Sequence, residues 1–370
     1  MSSYHGENIH LSIFGSSHDP AIGMTLEGVP SGFPIDFEYL YSFLKRRAPG
    51  INTFSSTRKE PDHPEFIVGI ENGRTTGSAI TAQIQNQDVK SSDYVDLKNC
   101  PRPGHADFTA YVKYGGKLNM SGGGPFSGRL TAPLCVAGGL CKQWLGLNGI
   151  HIAAHICKIG KVSINTDLIS AIQPNLNEIP VDFPVIDPVQ GERMKLEIQN
   201  AKDDGDSVGG VIQCITTGLP IGLGDAMFGG MESRIAQVIF GIPAVKGISF
   251  GSGFSGTSFR GSTNNDAYCL VDGRITTQTN HAGGILGGIT NGMPLIFDVA
   301  VKPTPSIAKP QQSINLVTMA QTEIQIKGRH DPCIVPRAVP VVEAAAAIAI
   351  FDAWLSYIGG KNDGSIADQE

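Results

Sequence analysis

Three histidines sit in turns that glycine and proline hold. His18 lies in Gly15-Ser-Ser-His-Asp-Pro20, His105 in Arg102-Pro-Gly-His-Ala-Asp107 and His330 in Gly328-Arg-His-Asp-Pro-Cys333. Histidine titrates near neutrality, and turns at strand or helix ends are where proton-moving groups are often mounted. A structural turn residue is the plainer reading of any one of them. The arginines add a second property: Arg47, Arg58, Arg102, Arg129, Arg329 and Arg337, half of the chain's twelve, lie in or beside the same kind of turn. Four of them brought together would make a strongly positive pocket suited to carboxylates and phosphate, whereas scattered they would only aid solubility. Lys302-Pro-Thr304-Pro-Ser306 offers a lysine and two hydroxyls at a strand end, a further seat for phosphate.

Two glycine clusters carry weaker signals. Gly251-Ser-Gly253-Phe-Ser-Gly256 matches the dinucleotide fingerprint G-x-G-x-x-G, but the residues after it have loop composition where the fingerprint needs a helix. Ser121-Gly-Gly-Gly124-Pro-Phe-Ser127-Gly-Arg129 runs straight into a helical pattern, and backbone N–H groups at a helix start favour an anion. A capped loop is the alternative. His151 and His155 are four apart in a strand pattern, roughly 13 Å, too far to share a metal ion, and read as exposed strand residues. No metal site is expected.

The elements that must hold these turns alternate between two periods. Strand patterns run over 9–14, 22–27, 65–70, 79–85, 150–159, 209–217, 245–250, 295–301 and 323–327, and helical spacing over 36–47, 130–147, 192–201, 232–240 and 341–357. Long glycine-bearing connections break any regular βαβ alternation, so antiparallel sheets with helices packed on them are expected. No linker divides the chain. One large domain is expected over 1–360, with a polar tail over 361–370.

The composition excludes several classes. The chain has 370 residues, 41% of them hydrophobic, with 46 glycines and a net charge of −6, which rules out a disordered or collagenous chain and argues against bulk nucleic-acid binding. No run of eighteen apolar residues predicts a membrane span. Seven single cysteines without a C-x-x-C pair, and an N-terminus without an export signal, predict buried thiols in a reducing cytoplasm.

The order of the motifs resembles chorismate synthase over almost the whole chain. The family's F-G-E-S-H-G-P-A appears as Phe14-Gly-Ser-Ser-His-Asp-Pro-Ala21, R-R-x-P-G as Arg46 to Gly50, and T-x-R-x-E-x-D in shortened register as Thr57 to Asp62. G-x-T-T-G is Gly73 to Gly77, S-x-D-Y is Ser91 to Tyr94, and R-P-G-H-A-D is Arg102 to Asp107. Asp206 to Gly210, Pro243 to Gly247, Ala282 to Ile289, Lys302 to Thr304, Gly328 to Cys333 and Arg337 to Glu343 complete the series.

This resemblance implies a single α/β domain of the α+β type, with helices sandwiched between two antiparallel sheets. It implies a homotetrameric lyase of the shikimate pathway that eliminates phosphate from 5-enolpyruvylshikimate 3-phosphate in an anti 1,4 sense to give chorismate. Reduced FMN would serve as transient electron donor, with NADPH as a conceivable reductant. By the family's residue roles, His18 assists the leaving phosphate, His105 protonates or stabilises the reduced flavin and Asp331 helps relay a proton. Arg47, Arg58, Arg102, Arg129 and Arg337 hold the substrate, and Ser127, Gly283, Gly284, Lys302, Thr304, Ser306 and Arg329 lie at the cofactor. The chain departs from the family pattern at Ser16, Asp19, Thr53 (in place of a further arginine) and Pro305, and at Ser121, Pro125 and Phe126, where two arginines and one serine near flavin and substrate are replaced. Two other readings stand beside the lyase: a catalytically silent relative that binds an anionic ligand, and a nicotinamide oxidoreductase built on Gly251–Gly256.

Overall fold

Residue alternation in Ala21–Glu27 places Ile22, Met24 and Leu26 on one face, all fully buried, and Ile80, Ala82 and Ile84 do the same on the strand beside it. A computed structural model describes residues 2–50, 61–87, 99–164, 179–326 and 331–362. These two strands form the middle of a five-stranded antiparallel sheet ordered Ser2–His5, His10–Gly15, Ala21–Glu27, Ile80–Gln85, Glu65–Val68. A second antiparallel sheet is ordered Val245–Phe250, Leu295–Val301, Gly210–Thr217, His151–Ile159, Val162–Ser163.

Between the sheets lie helices α1 (Phe37–Arg47) and α3 (Thr131–Gly146), with the long helix of Val335–Asn362 against them. The inner faces of both sheets and these helices share one apolar core around Trp144, Phe297 and Phe351. The expected α/β sandwich of helices between two antiparallel sheets is therefore the architecture found. Asp36 caps α1 as its side chain accepts from the Tyr39 N–H at 2.9 Å. Helix α1 buries Leu40, Phe43 and Leu44 and ends on Arg47, so one helix end delivers a cation to the site.

The Val335–Asn362 helix begins six residues earlier than the pattern after Pro340 implied. Pro340 forfeits one helical hydrogen bond, yet packing carries the helix through it, since Ala344 to Ile350 are all fully buried. The helix is long and apolar enough to cross a membrane, but its apolar window is wholly buried inside the protein, as suits a core helix. Helix α3 approaches it at Gly138, where an added Cβ would collide with the Ala344 backbone. Gly138→Val is expected to destabilise the protein by about 1–3 kcal/mol, read as a lowered Tm in thermal unfolding.

One buried ion cluster ties this helix to α1 and α3. Glu343, 1% exposed, accepts Arg46 Nη2 at 2.7 Å and Nη1 at 2.9 Å, the Lys142 ammonium, and the Ala154 N–H at 3.1 Å. Burial pushes its carboxyl up, but Lys142 and Arg46 outweigh burial and hold it at about 2. A pKa depressed in the fold contributes stability that is present above about 4.5 and is lost as pH falls toward 2. Glu343→Gln should cost about 3–5 kcal/mol at neutral pH by leaving two cations without their buried partner. In urea titrations it should also flatten the acid limb of stability between pH 4.5 and 2.

Several elements escaped the sequence patterns: the edge strand Ser2–His5, helix α2 (Asp107–Tyr114), the hairpin Tyr268–Val271/Arg274–Thr277 and the strand Gln311–Asn315, whose partner Ala320–Ile324 starts three residues before the strand expected over 323–327. Helix α4 (Pro188–Asp203) starts four residues earlier than its apolar spacing implied, because Asp187 caps it and Pro188 opens it. His155 is a correction as well. His151 is exposed, but His155 is 1% exposed, opposite Gln213 on the neighbouring strand, and burial lowers its pKa. The Gly251–Gly256 segment follows a strand and continues as a 3₁₀ turn over Gly253–Ser258, without the α-helix that a dinucleotide site needs.

Candidate active site

The predicted turns converge on one cavity of about 1210 Å³, on the side where α1 and α3 meet the strand ends. Its wall includes Arg47, Arg102, His105, Ser127, Arg129, Lys302, Thr304, Ser306, Asp331 and Arg337. Ser16 and Asp19 of the His18 turn line it, but His18 itself does not and packs against Gly122 behind the wall. Gly283 and Gly284 do not line this cavity; they pack against Gly251 and against Pro294 and Leu295. Arg58 and Arg329, with His330, lie outside the described residues.

Each described arginine of the set is held by a carboxylate. Arg47 Nε and Nη2 donate to Asp62 Oδ2 at 2.8 and 2.6 Å, and Arg129 Nη1 donates to Asp62 Oδ1. Arg102 forks Asp107, Nε to Oδ2 at 2.7 Å and Nη2 to Oδ1 at 2.8 Å, and its Nη1 reaches Ser306 Oγ at 3.2 Å. Arg337 Nη1 donates to Asp331 Oδ2 at 2.6 Å and its Nε to the Arg47 carbonyl at 3.0 Å. Burial raises the carboxyls of Asp62 and Asp107, but their arginine partners outweigh it, so both stand below the usual carboxylate range and remain ionised. Arg47, Arg102, Arg129, Arg337, Lys302 and Lys246 face the cavity against Asp19, Asp331 and the partners Asp62 and Asp107. The balance is cationic inside a chain that is acidic overall.

His105 is oriented by its own motif. Its Nδ1 lies 2.7 Å from Asp107 Oδ1, which turns Nε2 toward Gly123. Asp107 also accepts the Arg102 N–H at 3.0 Å where α2 begins, so one carboxylate fixes the turn, the arginine and the imidazole together. His18 faces Gly122 closely enough that any Cβ there would strike its ring. Gly122, Gly123 and Gly124 all have positive φ, which only glycine adopts readily, and this is what lets the backbone pass between the two histidines. Asn86 joins both parts: its Nδ2 donates to the carbonyls of Ser16 and Asp19, and its Oδ1 accepts Arg129 Nε at 2.9 Å.

The lysine and hydroxyl cluster is joined to the same turns. Lys302 donates to the Gly104 carbonyl, Thr304 Oγ1 to the Asp331 carbonyl at 3.0 Å, and Ser207 Oγ to the Thr304 carbonyl at 2.7 Å. Partial burial, with Lys246 as a neighbouring cation, lowers the Lys302 pKa. Ser127 Oγ accepts the Arg129 N–H, capping the short turn ahead of α3. Phe126 and Pro125, both departures from the family pattern, line the cavity, and Phe126 is 38% exposed.

Asp62, Asp107 and Asn86 are the residues that reading the sequence left without a role. Two of them were within quoted motifs, Asp107 two residues after His105 and Asp62 at the end of Thr57–Asp62; for Asp107 a carboxylate so close to a candidate histidine was the available signal. Nothing local pointed to Asn86.

A family model described as chorismate synthase matches residues 9–355. The chain is 44% identical to the chorismate synthase of Lancefieldella parvula, covering 98% of each chain, and 43% identical to that of Korarchaeum cryptofilum, covering 94% of this chain and 96% of the relative. It is 42% identical to a chorismate synthase of Dehalococcoides mccartyi over 95% of this chain. A crystal structure titled as chorismate synthase superposes with a TM-score of 0.75 at 27% identity, over 96% of this chain and 94% of that one. With the motif series, the sandwich and the arginine-lined cavity, these similarities show that the chain belongs to the chorismate synthase family.

Proposed function

We propose that this cavity eliminates phosphate from 5-enolpyruvylshikimate 3-phosphate to form chorismate, with reduced FMN bound beside the substrate. The observation that carries the reading is the convergence of Arg47, Arg102, Arg129 and Arg337 with His105 in one cavity. A substrate with two carboxylates and a phosphate needs such compensation, and forked guanidiniums match those groups bidentately. At about 1210 Å³ the cavity exceeds the roughly 300–1,000 Å³ of a single-ligand pocket, so two molecules fit side by side.

The residues present suit a flavin mononucleotide. Lys302, Thr304 and Ser306 offer a cation and two hydroxyls for its phosphate, Ser127 a further hydroxyl, and Phe126 an aromatic side chain for a planar ring. When bound, reduced FMN would supply an electron transiently as the C–O bond weakens, with no net redox change. The chain's own residues would do the rest. The arginines hold the two anions of the substrate, His18 meets the departing phosphate, and His105, oriented by Asp107, exchanges a proton through Nε2. Asp331, paired with Arg337, lies where a second proton acceptor is useful. One phosphate and one proton leave: the C–H pair forms one new double bond, the existing ring double bond shifts to the carbon that bore the phosphate, and the C–O pair departs with the phosphate.

A homotetramer accords with the apolar surface left by Met227, Phe228, Phe254, Leu270 and Ile275, each more than 60% exposed. Seven free cysteines, five of them buried, accord with a cytoplasmic setting, and the net charge accords with neither a nucleic-acid nor a membrane partner. Adding NADPH and oxidised FMN to the protein in air tests the source of reducing power: product formation means the chain reduces its own flavin, and none means an external reductant. FMN titration of Lys302→Ala tests the seat itself. A Kd weakened at least about tenfold, near 1.4 kcal/mol, supports it. An unchanged Kd removes Lys302 from the site.

A further inference from the structure

We propose that Asp62 is a positioning residue for the elimination: one buried carboxylate that sets two guanidiniums, Arg47 and Arg129, in the geometry the reacting anion requires. This rests on the reading of the cavity as the elimination site. Asp62 is 1% exposed, Arg47 3% and Arg129 8%, so the triad is sealed from bulk water on the protein side while both arginines line the cavity. Arg47 comes from the end of α1 and Arg129 from the 3₁₀ turn ahead of α3, and Asp62 bridges the two elements.

The hydrogen bonds of Arg47 show which partner places it. Nε and Nη2 go to Asp62, while Nη1 goes to the Gly128 carbonyl at 3.3 Å and to Thr131 Oγ1 at 3.1 Å. Four of its five N–H donors are thus committed within the protein. Its charge is available to an anion, but its orientation is fixed before one arrives, which is the arrangement that favours a transition state over a ground state. Arg129 is held in the same way, by Asp62 through Nη1 and by Asn86 through Nε.

The backbone at Asp62 supports a specific requirement. Its φ is +49°, a left-handed conformation that most side chains disfavour and that Asp and Asn tolerate best. Such strain persists where surrounding contacts over-determine the residue. Arg102 and Arg337 each have an aspartate of their own, whereas Asp62 serves two guanidiniums that would otherwise repel each other in a buried wall.

Charge and position make opposite predictions, which is what makes the role testable. Asp62→Asn keeps shape and backbone preference but removes one negative charge, so a purely electrostatic part would leave anion binding equal or tighter. A positioning part lowers turnover. We expect kcat for phosphate release, per substrate-binding site, to fall about 100-fold, the cost of roughly 1 Å of misplacement. The dissociation constant of 5-enolpyruvylshikimate 3-phosphate, from calorimetry on flavin-free protein, should stay equal or tighten. A kcat within about threefold of wild type overturns the proposal, as does a Kd weakened by the same factor as kcat/KM, which marks uniform binding. Thr131→Val removes an Arg47 acceptor without touching charge and should lower kcat about tenfold, with Thr131→Ser restoring it. A Thr131→Val enzyme with wild-type kcat overturns the proposal even where Asp62→Asn yields no folded protein. Wild-type protein that releases no phosphate refutes the underlying reading and this proposal together, while active wild type with an equally active Asp62→Asn refutes the proposal alone.

Discussion

Replacing His105 with alanine lowers kcat for phosphate release by about 10²–10⁴-fold, the range that a positioned proton-transfer group supplies. The ring lines the cavity, and its Nδ1 is tied to Asp107 at 2.7 Å, leaving Nε2 as the nitrogen directed to the Gly122–Gly124 loop. Arg102 loses the His105 Nδ1 contact at 3.1 Å but keeps its fork on Asp107, so substrate affinity should move by no more than about threefold, under 1 kcal/mol. Asp107→Asn keeps the ring but loses its anchor, and should forfeit a smaller factor, about 10–100-fold, as a misoriented group does. Single-turnover phosphate release with reduced FMN, beside a calorimetric substrate titration, reads both quantities. An alanine variant that turns over at the wild-type rate removes His105 from the chemistry.

Arg129→Ala has the second large effect, expressed mainly in kcat/KM. The truncation deletes a cation from the cavity wall, leaves Asp62 with Arg47 alone and withdraws a partner from Asn86, which also holds the His18 turn. Truncating one member of a buried, hydrogen-bonded charge pair costs about 2–5 kcal/mol, so kcat/KM should fall about 30-fold to 10³-fold or more. Arg129→Lys restores the charge but not the planar fork, and should recover at most about a tenth of the loss. Steady-state kinetics at two ionic strengths check this, with thermal unfolding run in parallel. The variant's kcat/KM should respond less to salt, because one favourable charge has gone. A variant with wild-type kcat/KM places Arg129 outside the substrate's reach.

What could be read from the sequence followed the range of each signal. Alternation in Ala21–Glu27 and Gly210–Thr217, and 3.6-residue spacing in Phe37–Arg47, are local, and they marked strands and helices correctly. The pattern starts helix Val335–Asn362 only after Pro340, because a proline argues against a helix locally, while burial against α1, α3 and the strands His151–Ile159 and Gly210–Thr217 decides otherwise. The edge strand Ser2–His5 alternates weakly and exists because His10–Gly15 pairs with it. The site was legible as a set of turns carrying histidine and arginine, since Gly and Pro mark turns wherever they occur. Its carboxylates were less so. Asp62 and Asp107 matter through pairings with Arg47, Arg129, Arg102 and His105, and a sequence position carries no sign of which cation a carboxylate will meet. His155 illustrates the reverse: its strand was evident, but not that this polar row would be covered.

The account turns on an elimination without net redox change in this one cavity. Protein with pre-reduced FMN and 5-enolpyruvylshikimate 3-phosphate, mixed anaerobically, measures it directly through released phosphate, chorismate absorbance and the flavin spectrum before and after. One phosphate and one chorismate per substrate consumed, with the flavin still reduced at the end, is the predicted result. Oxidation of one flavin per substrate, or substrate that binds and releases no phosphate, would contradict it.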